Sequence, residues 1–270
     1  MCKRENKQNN VTKKCGIATY RAIQIVTSKI TMATPVISII TVCYNAECEI
    51  KATLKSVKEQ SFKNYEYIII DGASKDNTLS VISQSGVEPT HLVSERDKGI
   101  YDAMNKGLAL AKGDYLMFLN AGDSLYSPDT LQRIAEVAQT ESPDVIYGDT
   151  AIVDAERNYL RPRKLRPPKT LTRNSFKNGM LVCHQAFLPK RELAMPYDMK
   201  YRLSADFDWC VKILSASKKC TQIESFIVNY LEEGATTRNH IKSLKERFRI
   251  MSAHYGIIIT IFKHICFLFR

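Results

Sequence analysis

The apolar and polar positions of this chain switch between two periods. Val36–Cys43 is a β-branched, apolar run that predicts a strand, and residues 47–60 then carry Ile50, Leu54 and Val57 at helical spacing before Gln60-Ser61. Tyr65–Ile70 predicts a second strand, ended by Asp71-Gly72-Ala73-Ser74. Asp76 is placed to cap the next helix, which carries Leu79 and Ile82 and stops near Gly86. His91–Val93 reads as a short strand before the Glu95–Gly99 loop. A glycine-opened helix over 100–111 and a turn at Lys112-Gly113 lead into the strand Tyr115–Leu119. That strand is continuously apolar, so both its faces should be covered. A helix at 129–139 and a strand at Val145–Tyr147 complete a β-α-β-α alternation without internal repeat. The pattern predicts an α/β fold, a parallel sheet with helices on both faces.

Past Asp149 the pattern changes. Residues 150–160 read as a β-ribbon, 161–173 as a Pro/Arg/Lys loop, and His184–Leu188 as a resumed strand. Ser204–Ala216 is a helix with Phe207, Val211, Ile213 and Leu214 apolar, followed by a strand at 223–231 and a basic amphipathic helix at 239–254. The stretch Ile257–Phe269 is apolar, with Lys263 and His264 interspersed. This divides the chain into a basic extension (1–32), one domain (33–235) and a basic helical appendage (236–270). The domain itself reads as a nucleotide half (33–149) and an acceptor half (150–235).

A chain of 270 residues can bury one sizeable core. The net charge of +11 calls for an anionic partner or surface. Much of it lies in the first 31 residues, where seven basic residues face only Glu5. Met32 directly precedes the first strand, so translation is expected to begin there, leaving the extension without a function. No basic-aromatic platform or helix-turn-helix accompanies the charge, so nucleic acid is not an expected partner. The eight cysteines show no C-x-x-C spacing, and Cys43 and Cys210 sit in apolar runs. That usage fits a reduced, cytoplasmic protein. No apolar run reaches 18 residues and no signal peptide is recognisable, so no transmembrane helix is expected.

Three strand ends carry polar clusters: Thr41, Tyr44, Asn45 and Glu47; Asp71 and Ser74; Asn120 and Asp123. A parallel sheet brings them to one edge, where open α/β sheets bind ligands, and their acceptors suit a base, a ribose and a metal. Asp123 beside the permissive Gly122 suits a divalent cation on a diphosphate. Asp123 read alone equally suits a helix cap, because Ser127-Pro128-Asp129 begins a helix just afterwards. Neither a Gly-x-Gly-x-x-Gly after a strand nor a P-loop is present.

Five ordered motifs carry a resemblance: Val-Ile-Ser-Ile-Ile-Thr-Val-Cys-Tyr-Asn with Glu47, Ile-Ile-Ile-Asp-Gly-Ala-Ser-Lys-Asp-Asn-Thr, Asp-Lys-Gly-Ile-Tyr-Asp-Ala-Met-Asn-Lys-Gly, Leu-Asn-Ala-Gly-Asp and Ala-Asp-Phe-Asp-Trp. Over about residues 35–235 the chain resembles the family 2 glycosyltransferases, nearest to bacterial enzymes of O-antigen, capsule or colanic-acid-type polysaccharide assembly. The resemblance implies a GT-A fold, a nucleotide-sugar donor, expected to be UDP-linked, and a divalent metal, Mn²⁺ or Mg²⁺. It implies a saccharide acceptor, expected to be lipid-linked at the inner membrane face.

Carried over by position, Thr41, Tyr44 and Glu47 line the nucleotide site and Asp71 receives the uracil imide. Asp123 holds the metal, and Asp206 is the general base of an inverting transfer. Asp208, two residues on, should point elsewhere on the helix. Lys98 stands where it would meet the leaving diphosphate or simply solvent, and His184-Gln185 falls on the acceptor side or in the core. Three departures stand out: Val42 for a common proline, Gly72 for a second aspartate, and Asn120 and Gly122 where many members keep carboxylates. Two alternatives stay open on the residues: a non-catalytic sugar-nucleotide-binding module, and a sugar-phosphate nucleotidyltransferase. The second would favour a glycine- and lysine-rich loop after the first strand, which Thr41–Glu47 is not. The basic helix with its apolar successor is expected either to lie on an anionic membrane or to pack on the domain.

Overall fold

The computed structural model describes residues 34–232 and 240–268; the basic extension and the boundary at 235/236 lie outside the described residues. Four parallel strands, β1 (Ile37–Cys43), β2 (Tyr65–Asp71), β3 (His91–Ser94) and β4 (Tyr115–Phe118), form a sheet in the order β3-β2-β1-β4. Every residue of β1 and β4 is buried; β4 is apolar throughout, and the two hydroxyls of β1, Ser38 and Thr41, are hydrogen-bonded inside. Register aligns Cys43 with Asp71, and Asp71 with Ser94, so the polar residues that end these strands share one edge.

Helix α1 (Ile50–Lys58) follows β1, α2 (Thr78–Gln84) follows β2, and α3 (Ile100–Leu110) precedes β4. Gly99, at φ 116°, lets the chain turn sharply into α3. Gly107 then allows α3 to lie directly on Ile40, where a β-carbon would collide.

The second half is a mixed sheet. β5 (Ser124–Leu125) pairs with the long β9 (Cys220–Leu231), which runs parallel to β6 (Val145–Val153). β7 (Tyr159–Pro162) and β8 (Phe187–Pro189) are antiparallel to β6. A Tyr115–Lys190 bridge joins the two sheets. Helix α4 (Thr130–Glu141) packs on β6 and β9, and α5 (Ala205–Ala216) fills the core with Phe207, Trp209, Cys210 and Val211. This is the GT-A arrangement that the motif order implied.

Two expectations are corrected. The strand expected to stop at Tyr147 continues to Val153, because Gly148 lets Ile227 of β9 approach within about van der Waals contact while the register shifts. His184–Ala186 is a turn of 3₁₀ helix, so the strand expected from His184 begins only at Phe187.

The appendage forms α6 (His240–Tyr255) and α7 (Ile257–Leu268), joined at Gly256 with φ 87°. No helix among the described residues is long and apolar enough to cross a membrane.

Candidate active site

The loops after β1 and β2 are zipped together. Asn45 (φ 48°) accepts from the Lys75 amide at 2.8 Å, and its own N–H donates to Ser74 Oγ at 2.8 Å. Glu47 accepts from the Asn77 amide at 2.9 Å while its N–H donates to Asp76 at 3.1 Å. Asp71 is wholly buried beneath this zip. Its carboxylate accepts from the Ser74 amide at 3.0 Å, from Ser94 Oγ at 2.6 Å and from the Ser74 hydroxyl. Burial, and then the Asp71 charge, push the neighbouring Cys43 thiol up, so it stays protonated. Thr41 is also wholly buried, and its hydroxyl donates to the Leu119 carbonyl at 2.7 Å. The structure thus places Thr41 behind the site, holding the end of β4 that leads to Asn120.

Tyr44, by contrast, is 58% exposed at the sheet edge. Its ring and the Asp97 carboxylate crowd over Gly72: a β-carbon there would lie 3.2 Å from Tyr44 Cδ2 and 2.5 Å from Asp97 Oδ2. Asp97 therefore occupies the space that a side chain at position 72 would fill. Sequence reading passed over Asp97, although it stands in the same motif as Lys98. Lys98 is exposed at the start of α3, where its amide donates to Asp102 at 3.0 Å.

The β4 loop delivers Asn120 and Asp123. Asp123 is buried; Oδ2 accepts from Gln185 Nε2 at 2.7 Å and Oδ1 from the Leu231 amide at 3.3 Å. Burial pushes its carboxyl up to about 7, against the pull of those two donors and of Arg157. Arg157, in the β6–β7 turn at φ 70°, donates to the Gly122 carbonyl and thereby braces the same loop. The Asn120 amide oxygen is buried without a hydrogen-bond partner.

Asp206 lies half-buried in the first turn of α5. Tyr101 of α3 donates to its Oδ1 at 3.1 Å. Tyr101 stacks on Tyr197, which stacks on Trp209, and the Tyr197 hydroxyl meets His184 Nε2 at 2.7 Å. Burial lowers His184 to about 4, so this imidazole is neutral at pH 7 and serves as a hydrogen-bonding group. Asp208 is turned away from the site, as helical spacing predicts. It bonds His254 Nε2 and Lys212 Nζ, each at 2.7 Å. Burial opposes its charge, yet those two partners hold its carboxyl below the ordinary value.

A family model, Glycosyl transferase family 2, matches residues 38–195. The chain belongs to that family. A PGL/p-HBAD biosynthesis glycosyltransferase of Mycobacterium bovis is 33% identical over 238 residues, covering 85% of this chain and 90% of its own. Two solved structures share the fold. S. aureus TarS 1-349 in complex with UDP-GlcNAc has a TM-score of 0.64 at 16% identity, over 80% of this chain and 64% of its own. Glucosyl-3-phosphoglycerate synthase from Mycobacterium tuberculosis, in complex with Mn²⁺, UDP and glucosyl-3-phosphoglycerate, has a TM-score of 0.59 at 15% identity, over 83% of this chain and 81% of its own. The protein is a family 2 glycosyltransferase, an enzyme of the GT-A fold.

Among the described residues of this glycosyltransferase, no group of three or more His, Cys, Asp or Glu gathers as a metal cage. The orphaned Asn120 oxygen and the buried Asp123 carboxylate nonetheless fit a divalent ion that takes its remaining ligands from a diphosphate and water.

Sequence reading also missed Glu246 of α6. Its carboxylate accepts from the amides of Arg202, Leu203 and Ser204 at 2.8–3.0 Å, fixing the chain just before Asp206. No local motif marks such a long-range cap. The signal available was weak: Glu246 is the sole acidic residue after Glu233.

Proposed function

We propose that this glycosyltransferase moves a sugar from a UDP-linked donor to a hydroxyl of a lipid-linked saccharide, with inversion, in bacterial surface-polysaccharide assembly. One observation carries the reading: Asp206, from the acceptor half, is held by Tyr101 from the nucleotide half, so the candidate base stands at the junction of the two.

Tyr44 and Asp97 at the rim take the uracil and ribose; Asp71, expected to receive the uracil imide, is bonded to Ser74 and Ser94 and, with Asn45 and Glu47, keeps the rim in shape instead. Asp123 and Asn120 would hold a divalent metal, with Lys98 as a further cation for the leaving group. When bound, the metal supplies charge that stabilises the departing nucleoside diphosphate. Asp206 takes the proton from the acceptor hydroxyl. That oxygen bonds to the anomeric carbon on the face opposite the diphosphate, and the carbon–oxygen bond to the diphosphate breaks. His184 and Gln185, expected on the acceptor side or in the core, act from the core: Gln185 orients Asp123 and His184 holds Tyr197. The acceptor's lipid would place the enzyme at an anionic inner membrane face.

The test is a panel of UDP- and GDP-sugars, with release of nucleoside diphosphate as readout and the product's anomeric configuration read by NMR. Retention of configuration, or release only from GDP-sugars, overturns the respective part of the reading.

A further inference from the structure

Helix α7 is amphipathic in the reverse sense for a water-facing helix. Its inward side carries Thr260, wholly buried, Lys263, which donates to Asn178 Oδ1 at 2.8 Å, and Phe267, packed on the core. Its outward side is Ile258, Ile261, Phe262 and Ile265, at the i, i+3, i+4, i+7 spacing of a single helical face. Ile258 is 81% and Phe262 63% exposed. Ile257 flanks them, also exposed, and no charge interrupts the arc. A patch of this kind marks a surface that something covers.

The charges around the patch identify the cover. From Arg247 to Leu268 there is no acidic residue. Arg249 is exposed on α6, and Lys164, Arg166 and Lys263 line a depression beside Cys266 and Phe267 of α7. A second copy seated on this face would bring like charges together. An anionic bilayer offers both an apolar layer and the opposite charge. Twelve residues give about 18 Å of helix, too short to span but suited to lying in the interface.

We infer that the outer face of α7 is a membrane-docking surface that seats the enzyme on anionic lipid, with Ile258, Ile261, Phe262 and Ile265 entering the acyl boundary. This deepens the membrane part of the function proposed above. The insertion is assigned to α7 and not to the basic helix before it. Helix α6 is committed to the domain: Glu246 caps residues 202–204 and His254 bonds Asp208.

The experiment is co-sedimentation of the full chain with vesicles of phosphatidylcholine alone and of equal phosphatidylcholine and phosphatidylglycerol, at low and high salt. The wild type should bind the mixed vesicles, less at high salt, and the neutral vesicles weakly. Ile258→Glu/Phe262→Glu should lose about tenfold or more of that binding while keeping its circular dichroism and UDP binding. Both positions are exposed, so folding should survive; Ile265→Glu provides a second, milder variant. Equal binding by wild type and both variants, no binding by the wild type, or concentration-dependent dimerisation that the same substitutions abolish would each overturn the inference. The outcome is separable from the proposed chemistry. Vesicle binding without sugar transfer removes only the catalytic reading, and transfer to a water-soluble acceptor without vesicle binding removes only this one.

Discussion

The Tyr101 hydroxyl donates to Asp206 Oδ1 at 3.1 Å across 105 positions of sequence, from the first turn of α3 to the first turn of α5. Tyr101 is itself buried, and burial together with the Asp206 charge raises its phenol, so it remains a proton donor throughout the working range. A donor fixed in this way orients the carboxylate. Tyr101→Phe should therefore lower kcat by about tenfold to a hundredfold, the scale of a hydrogen bond to a charged group. The KM for the donor should hold. That split between kcat and KM is one that general loss of packing would not give. Steady-state kinetics decide it; an unchanged kcat denies Tyr101 this role.

Asp206 itself should be needed for turnover and dispensable for donor binding. Asp206→Asn keeps the shape and the Tyr101 contact but removes the basic oxygen. Turnover should fall about a hundredfold or more, with UDP affinity by calorimetry within error of wild type. A variant that retains most of its transfer rate would sink the assignment.

Asp123 offers the one carboxylate in the β4 loop, so Asp123→Ala should abolish Mn²⁺-dependent tightening of UDP binding, read by calorimetry with and without EDTA. If wild-type UDP binding and activity both survive EDTA, the diphosphate is held by cations such as Lys98, and the metal reading fails.

The features that order these predictions were unequally visible in the sequence. Asp71, Asp123 and Asp206 stand at strand ends or a helix start, where period and motif both point. The parallel β1, β2 and β4 followed from mainly apolar runs, broken before the strand ends only at Ser38, Thr41 and Glu66. Thr41 was not legible: a strand-end hydroxyl reads the same whether it faces ligand or, as here, the Leu119 carbonyl. Tyr101 lay within a quoted motif, yet helical spacing alone makes it one more apolar position of α3. Asp97 acquires meaning only from its place over Gly72, a contact that no spacing encodes. The extension of β6 past Tyr147 was not visible either, because its pairing with β9 is made by residues far along the chain.

Glu246 ties the appendage to the catalytic helix through three backbone amides. Glu246→Ala leaves those amides to water and should destabilise the protein by about 2 kcal/mol. It should also slow turnover while leaving UDP binding intact, because residues 202–204 carry Asp206 and not the nucleotide loops. Glu246→Gln keeps one acceptor oxygen and should recover part of both losses. Urea unfolding and steady-state kinetics on the two variants check this; equal UDP weakening in both would show a global effect.

His184 gives the protein a defined acid weakness. Its imidazole is buried among Phe118, Tyr197 and Trp209, and burial lowers it from 6.5 to about 4. A group whose folded value is depressed contributes its full stability above the unfolded value. Here that contribution is intact above about pH 6.5 and is lost progressively as the pH falls toward about 4, where the unfolded chain binds the proton and the folded one resists it. A shift of this size corresponds to about 3 kcal/mol in all. His184→Gln cannot take up that proton and keeps a polar atom for the Tyr197 hydroxyl. At pH 7 it should be less stable than wild type, through imperfect packing. Between pH 7 and pH 4.5 the wild type should lose about 2–3 kcal/mol more than the variant, so the two stability curves converge or cross. Carboxylates elsewhere titrate in both proteins and cancel in the difference. Urea midpoints measured in parallel across that range provide the check, and parallel curves would show that His184 is not buried in its neutral form.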